Sequence, residues 1–200
     1  MTNKLLIATG NPGKIKEIRA ILSPLEVSLL SPKETGIDRE VKETGKTYAA
    51  NARLKAEAYL EASGMPVLAD DSGLEVDALN GAPGLFSARY SPKKNATDAD
   101  RREYLITQLE GKPQPWTARF WCTAVLALPD GRYFTTTGQC EGVIIPEERG
   151  TTGFGYDPIF LIAEQQATMA ELGPKTKNKI SHRAKALQAM MPQLEQIFNE

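Results

Sequence analysis

A short apolar run, Lys4-Leu5-Leu6-Ile7-Ala8, passes directly into the small polar segment Thr9-Gly10-Asn11-Pro12-Gly13-Lys14. Ile15, Ile18, Ile21 and Leu22 then recur at helical spacing. A buried strand, a glycine-containing turn and a helix in that order commit the start of the chain to α/β architecture. Such a turn aims backbone N–H groups and the positive end of a helix at one point, which suits an anion. Lys14 adds a point charge there, and Thr9 and Asn11 can hydrogen-bond phosphate oxygens. The Walker A spacing is absent. On spacing alone, an ordinary strand-to-helix turn accounts for these residues as well as an anion site does.

The remaining pattern supports a mixed α/β fold. A helix is predicted over about 47–63, with Tyr48, Ala52, Ala56, Tyr59 and Ala62 on one face and Gly64 at its end. Met65-Pro66-Val67-Leu68-Ala69 reads as a second buried strand that stops at Asp70-Asp71-Ser72-Gly73. Thr97 or Asp98 can cap a helix closing near Leu109. Residues 119–128 and 133–139 read as a hairpin about Asp130-Gly131. The segment 150–155 reads as a glycine-bearing loop. Ser181 can cap a last helix whose stripe of Ala184, Leu187, Met191 and Leu194 belongs to a core.

Composition excludes several function classes. The net charge of −1 gives no electrostatic footprint for nucleic acid. No apolar run approaches the length of a membrane span. The opening apolar stretch is too short for a signal peptide, so a cytoplasmic location is expected. A single histidine and two cysteines cannot build a Cys/His metal cluster, and Cys122 and Cys140 are expected to be a reduced pair across the hairpin. Two hundred residues suffice for one domain, read here as a single bilobal domain over 1–200.

Two further constellations carry chemistry. Asp70 and Asp71 follow an apolar strand, where α/β proteins place ligand groups. Adjacent carboxylates point different ways, so one can hold Mg²⁺ or activate water while the other anchors the loop. Glu43 could supply another hard oxygen for Mg²⁺. Alternatively, both aspartates simply satisfy backbone N–H groups. In the last quarter, Phe154-Gly155-Tyr156-Asp157-Pro158 sets aromatic rings beside an acid, and Ile180-Ser181-His182-Arg183 sets two donors at a helix start. Aromatic faces stack on a planar base and fixed donors read its edge. A capping or packing histidine explains His182 equally. Lys175, Lys177 and Lys179 form either a solvated face or a reach toward phosphate. Together these groups describe an enzyme acting on a nucleoside triphosphate.

The set Ala8-Thr9-Gly10-Asn11-x-Gly13-Lys14, Glu43-Thr44-Gly45, Ala69-Asp70-Asp71-Ser72-Gly73, Gly153-Phe154-Gly155-Tyr156-Asp157-Pro158 and Ser181-His182-Arg183 resembles the inosine/xanthosine triphosphate pyrophosphatases, also called dITP/XTP pyrophosphatases. Gly81-Ala82-Pro83-Gly84 and Ser87-Ala88-Arg89-Tyr90 match as well, and the motifs span nearly the whole chain. One departure is Thr152-Gly153 where relatives often carry Gly-Gly.

The resemblance implies an elongated mixed sheet with flanking helices, in two lobes with a central active-site groove. It implies a homodimer that hydrolyses ITP, dITP and XTP to the monophosphate and pyrophosphate with Mg²⁺, clearing deaminated purines from the nucleotide pool. Carried over by position, Thr9, Gly10, Asn11, Pro12, Gly13 and Lys14 would hold the triphosphate. Glu43 and Asp71 would organise Mg²⁺, and Asp71 would be the general base. Lys55, Ser72 and Lys177 would contact substrate. Phe154, with Gly155 and Tyr156, would receive the base, and Asp157, His182 and Arg183 would surround its polar edge. Rival readings are a pyrophosphatase for other nucleotides, a nucleotide sensor, and a nucleic-acid module resting on the lysine runs.

Overall fold

The computed structural model describes residues 3–37 and 39–198. Positions 1, 2, 38, 199 and 200 of the expected single-domain span lie outside the described residues. The strands are Lys4–Ile7 (β1), Ser28–Leu30 (β2), Val67–Val76 (β3), Trp116–Ala127 (β4), Tyr133–Ile144 (β5), Phe160–Ile162 (β6) and Ala167–Thr168 (β7). The helices are Pro12–Ile21 (α1), Pro32–Thr35 (α2), Tyr48–Ser63 (α3), Asp98–Leu109 (α4), Gly173–Ile180 (α5) and His182–Phe198 (α6). The strands form one mixed sheet in the order β2-β1-β3-β4-β5-β6-β7. β1 runs parallel to β2 and β3, with Leu5 opposite Leu29 and Ile7 opposite Leu68. The pairs β5–β6 and β6–β7 are antiparallel. The mixed α/β class expected from the sequence is the one observed.

The chain groups into two compact units. The first holds the described residues of Met1–Asp71, Cys122–Gly138 and His182–Glu200, and the second holds Ser72–Trp121 and Gln139–Ser181.

In the first unit, alternate strand residues serve opposite faces. Leu5, Ile7, Leu68, Cys122, Ala124 and Leu126 pack with Ile18 of α1, with Leu22 at its C-cap, and with Leu187, Met190 and Leu194 of α6. Leu6, Ala8, Val67, Ala69, Val125 and Ala127 pack with Ala52, Ala56 and Tyr59 of α3. Both faces are therefore covered. That is why β1 and the start of β3 read as unbroken apolar runs rather than alternating ones. Gly64 closes α3, as the sequence predicts, and Thr47 caps its start by accepting from Ala50 N at 3.1 Å. The α6 stripe also lies in the core.

In the second unit, Leu74, Val76, Trp116, Ala118, Phe120 and Ile144 pack with Leu105 and Leu109 of α4 and with Ile159, Phe160 and Met169. Thr97 and Asp100 form a reciprocal capping box at the start of α4.

Two elements differ from expectation. β3 does not stop at Ala69 but runs through Asp70-Asp71-Ser72-Gly73 to Val76. The aspartates are tolerated inside the strand because cations neutralise them, as described below. The run Lys175, Lys177 and Lys179, read as a solvated face or a reach toward phosphate, lies on a helix that the sequence pattern did not predict, α5, with Ser181 as its C-cap. Cys122 and Cys140 are both buried. No described helix is long and apolar enough to cross a membrane.

Candidate active site

The turn after β1 is tight, and it uses its own acceptors. Thr9 Oγ1 accepts from Asn11 N at 3.2 Å, and Asn11 Oδ1 caps α1 by accepting from Lys14 N at 3.1 Å. Pro12 takes the first helical position, where a missing N–H is harmless. With those oxygens engaged, Thr9 retains its O–H and Asn11 its NH₂ group, both donors. Gly10, Asn11 and Pro12 are exposed and Gly13 is half-buried. The turn thus presents donors, which is what an anion requires.

Asp70 continues the alternation of β3 and faces α1 and α6. Its Oδ2 accepts from Lys14 Nζ at 3.0 Å and from Arg183 Nε and Nη2 at 3.2 and 3.0 Å. Arg183 Nη1 donates to Glu17 Oε2 at 2.5 Å. Asp70 is 2% exposed and Arg183 1%. Two cations and two carboxylates thus form a balanced buried network. Burial pushes the Asp70 carboxyl up, but Lys14 and Arg183 outweigh it and hold it well below the usual carboxylate range. Cys122 Sγ lies 3.9 Å from Asp70 Oδ2, and burial together with that carboxylate pushes its thiol up to about 12.

Asp71 faces α3. Its Oδ1 accepts from Lys55 Nζ at 3.0 Å and its Oδ2 from Asn51 Nδ2 at 3.2 Å. Lys55 Nζ also donates to Glu43 Oε1 at 2.8 Å. Asn51 Oδ1 accepts from Gly45 N at 2.8 Å, tying the Glu43-Thr44-Gly45 segment to the same spot. Burial, with Glu43 nearby, raises the Asp71 carboxyl despite the opposing pull of Lys55.

Among the described residues, no three His, Cys, Asp or Glu side chains gather as a ready-made cage. Two hard carboxylate oxygens, from Glu43 and Asp71, nevertheless converge on a single ammonium. Mg²⁺ commonly takes one or two carboxylates and completes its shell with phosphate and water. The residues fit that use.

The second unit holds the aromatic group. Phe154 N donates to Asp157 Oδ2 at 2.9 Å, and Lys177 Nζ donates to the same oxygen. That ammonium lies 4.7 Å from the Phe154 ring centroid, over its face. Lys177 is 4% exposed and Asp157 2%, while Lys175 and Lys179 are exposed. A Cβ on Gly153 would sit 2.1 Å from Asp157 Oδ2, so only glycine admits this close approach. Tyr156 is buried and donates to Ser87 O at 2.8 Å. Ser72 follows Asp71 in β3, half-buried.

The structure therefore brings Thr9, Asn11, Lys14, Asp71, Glu43 and Lys55 into two adjoining clusters on β3 and its flanking helices. It gathers Phe154, Asp157 and Lys177 into another. His182, 5% exposed, opens α6. Arg183, expected at a base edge, has its guanidinium held by Asp70 and Glu17. Sequence reasoning missed Asn51 and Glu17. Both were accessible from helical spacing, since Asn51 lies one turn before Lys55 and Glu17 three residues after Lys14.

A family model described as the Ham1 family matches residues 5–193. The chain is 49% identical over 185 residues to a dITP/XTP pyrophosphatase of Geobacter sulfurreducens, covering 92% of each. It is 47% identical to a dITP/XTP pyrophosphatase of Desulforamulus reducens, covering 98% of this chain and 97% of the relative. Its structure is similar to that of a HAM1 protein from Coxiella burnetii, with a TM-score of 0.87 and 39% identity, covering 98% and 100% of the two chains.

Proposed function

The chain belongs to the Ham1 family, and on that premise we propose that it hydrolyses purine nucleoside triphosphates with deaminated bases, ITP, dITP and XTP, to the monophosphate and pyrophosphate. The observation that carries the reading is the convergence of Glu43 and Asp71 on Lys55, together with a turn that presents donors. That turn and Lys14 hold the triphosphate, with Lys14 kept in place by Asp70. Asp71 Oδ takes the proton of a water that attacks the α-phosphorus. The α–β anhydride bond breaks and pyrophosphate leaves. A carboxyl raised by burial is a stronger base for that task than a free one.

Glu43 and Asp71 would hold Mg²⁺. When bound, that ion neutralises the triphosphate and the departing pyrophosphate. Lys55 keeps the two carboxylates aligned in the meantime. Phe154 stacks on the base, and the Asp157–Lys177 pair fixes the ring's surroundings. We place the enzyme in the cytoplasm, following the short opening apolar stretch, and as a homodimer, following the family resemblance.

The test is hydrolysis of ITP, dITP, XTP, ATP and GTP with Mg²⁺, scoring pyrophosphate and orthophosphate separately. Pyrophosphate from ITP and XTP with ATP and GTP nearly inert is the expected result. Orthophosphate release, or equal rates on all five, would overturn the proposal.

A further inference from the structure

We propose that Asp98 and Arg102 of α4 are positioning residues for the base, acting by fixing the peptide of Gly155. The inference rests on the reading that Phe154 and its neighbours receive the base. Asp98 Oδ2 accepts from Gly155 N at 2.7 Å, and Arg102 Nη1 donates to Gly155 O at 2.7 Å. Residues four apart lie on one helix face. α4 therefore offers an acceptor and a donor one turn apart, matched to the N–H and C=O of a single residue. Both bonds involve an ionised partner, which makes them strong.

The same guanidinium also grips Glu148 through Nε and Nη2, each at 2.8 Å. One arginine thus ties both ends of a segment that has no helix or strand from 145 to 156. Gly155 has φ +63°, a left-handed conformation that nothing on its own side chain can enforce. The conformation has to be imposed from outside, and α4 does so next to the Phe154 ring. Asp98 and Arg102 bond to the Gly155 backbone, so their influence on the base passes through the loop. The Asp98 carboxyl agrees with this arrangement. Burial pushes it up, yet Arg101 and the Gly155 amide hold it below its ordinary value.

The test compares D98A, D98N and R102M with the wild type. Gly155 amide hydrogen exchange is measured on the free protein, and kcat and KM are measured with ITP. Asn keeps an oxygen for Gly155 N but discards the charge and the ion pair with Arg101. Rescue by Asn therefore separates the clamp from the stability of α4. D98A and R102M should speed Gly155 exchange and raise the KM for ITP about tenfold, with kcat changed by less than about twofold. D98N, which keeps the oxygen without its charge, should recover most of the D98A loss. R102M carries the same readouts if D98A fails to fold. Unchanged Gly155 exchange in the folded variants, or D98N as impaired as D98A, overturns the proposal. If the wild type releases no pyrophosphate from ITP, the functional reading fails separately. Gly155 exchange then decides the clamp by itself: faster exchange supports it and unchanged exchange overturns it.

Discussion

Asp70 and Asp71 are consecutive in β3, yet their carboxylates meet cations on opposite faces of the sheet: Asp70 meets Lys14 and Arg183, and Asp71 meets Lys55. The environments push the two acids apart. Asp70 is held well below the usual range and Asp71 is raised from its ordinary value. Such divergence separates a permanent anion from a proton acceptor. Asp70 suits the first role and Asp71 the second.

Asp71→Asn should therefore fold normally and retain nucleotide binding while losing roughly 10²–10⁴-fold or more in kcat, the usual worth of a general base. Steady-state kinetics with ITP, alongside a thermal melt, check it. Turnover near wild type in a folded variant would sink the assignment.

Asp70→Asn should instead act on stability. It leaves Arg183 buried with one carboxylate partner fewer, and breaking a buried pair typically costs about 3–5 kcal/mol. Arg183→Ala disrupts the same network, so the double variant should lose less than the sum of the singles. The folded-state carboxyl of Asp70 is depressed, so its contribution is present above the unfolded value of about 3.9 and is lost as pH falls below it. Melting temperatures across pH should show the gap between wild type and Asp70→Asn closing on the acid side.

Glu43→Gln should shift the metal requirement. Removing one of two convergent carboxylates weakens a Mg²⁺ site, so the variant should need a higher Mg²⁺ concentration for half-maximal turnover with ITP. Chelator should abolish activity in both proteins, and added Mg²⁺ should restore it. An unshifted Mg²⁺ titration would remove Glu43 from the site.

Cys122 should be inert in the native protein. The thiolate is the reactive form, and here the thiol is pushed up to about 12 in a fully buried position. Mass spectrometry after alkylation at mildly alkaline pH should find Cys122 unmodified until denaturant is added.

Much of this was legible in the chain. The opening strand, turn and helix, α3 with its closing glycine, α4 and the core stripe of α6 all follow from local pattern. The passage of β3 through Asp70-Asp71-Ser72-Gly73 was not legible, because four small or polar residues look like a strand ending. What keeps them in the strand is remote. Arg183 lies 113 residues from Asp70 and 166 from Glu17 along the chain, so no local window reveals its burial. α5 was hidden for a related reason. Its lysines carry no apolar rhythm, and Lys177 is buried because Asp157 and Phe154 receive it.

The continuity of β3 also makes the two aspartates non-interchangeable despite their identical chemistry. Sliding the strand by one position in one direction would present Ala69 to Lys14 and Arg183. Sliding it the other way would present Ser72 to Lys55. Either slip leaves one face without its acid, and a buried cation facing a methyl or hydroxyl group destabilises the misaligned pairing. The paired carboxylates therefore act as an alignment mark for the strand. The residues proposed for the chemistry also help fix the register in which the sheet assembles.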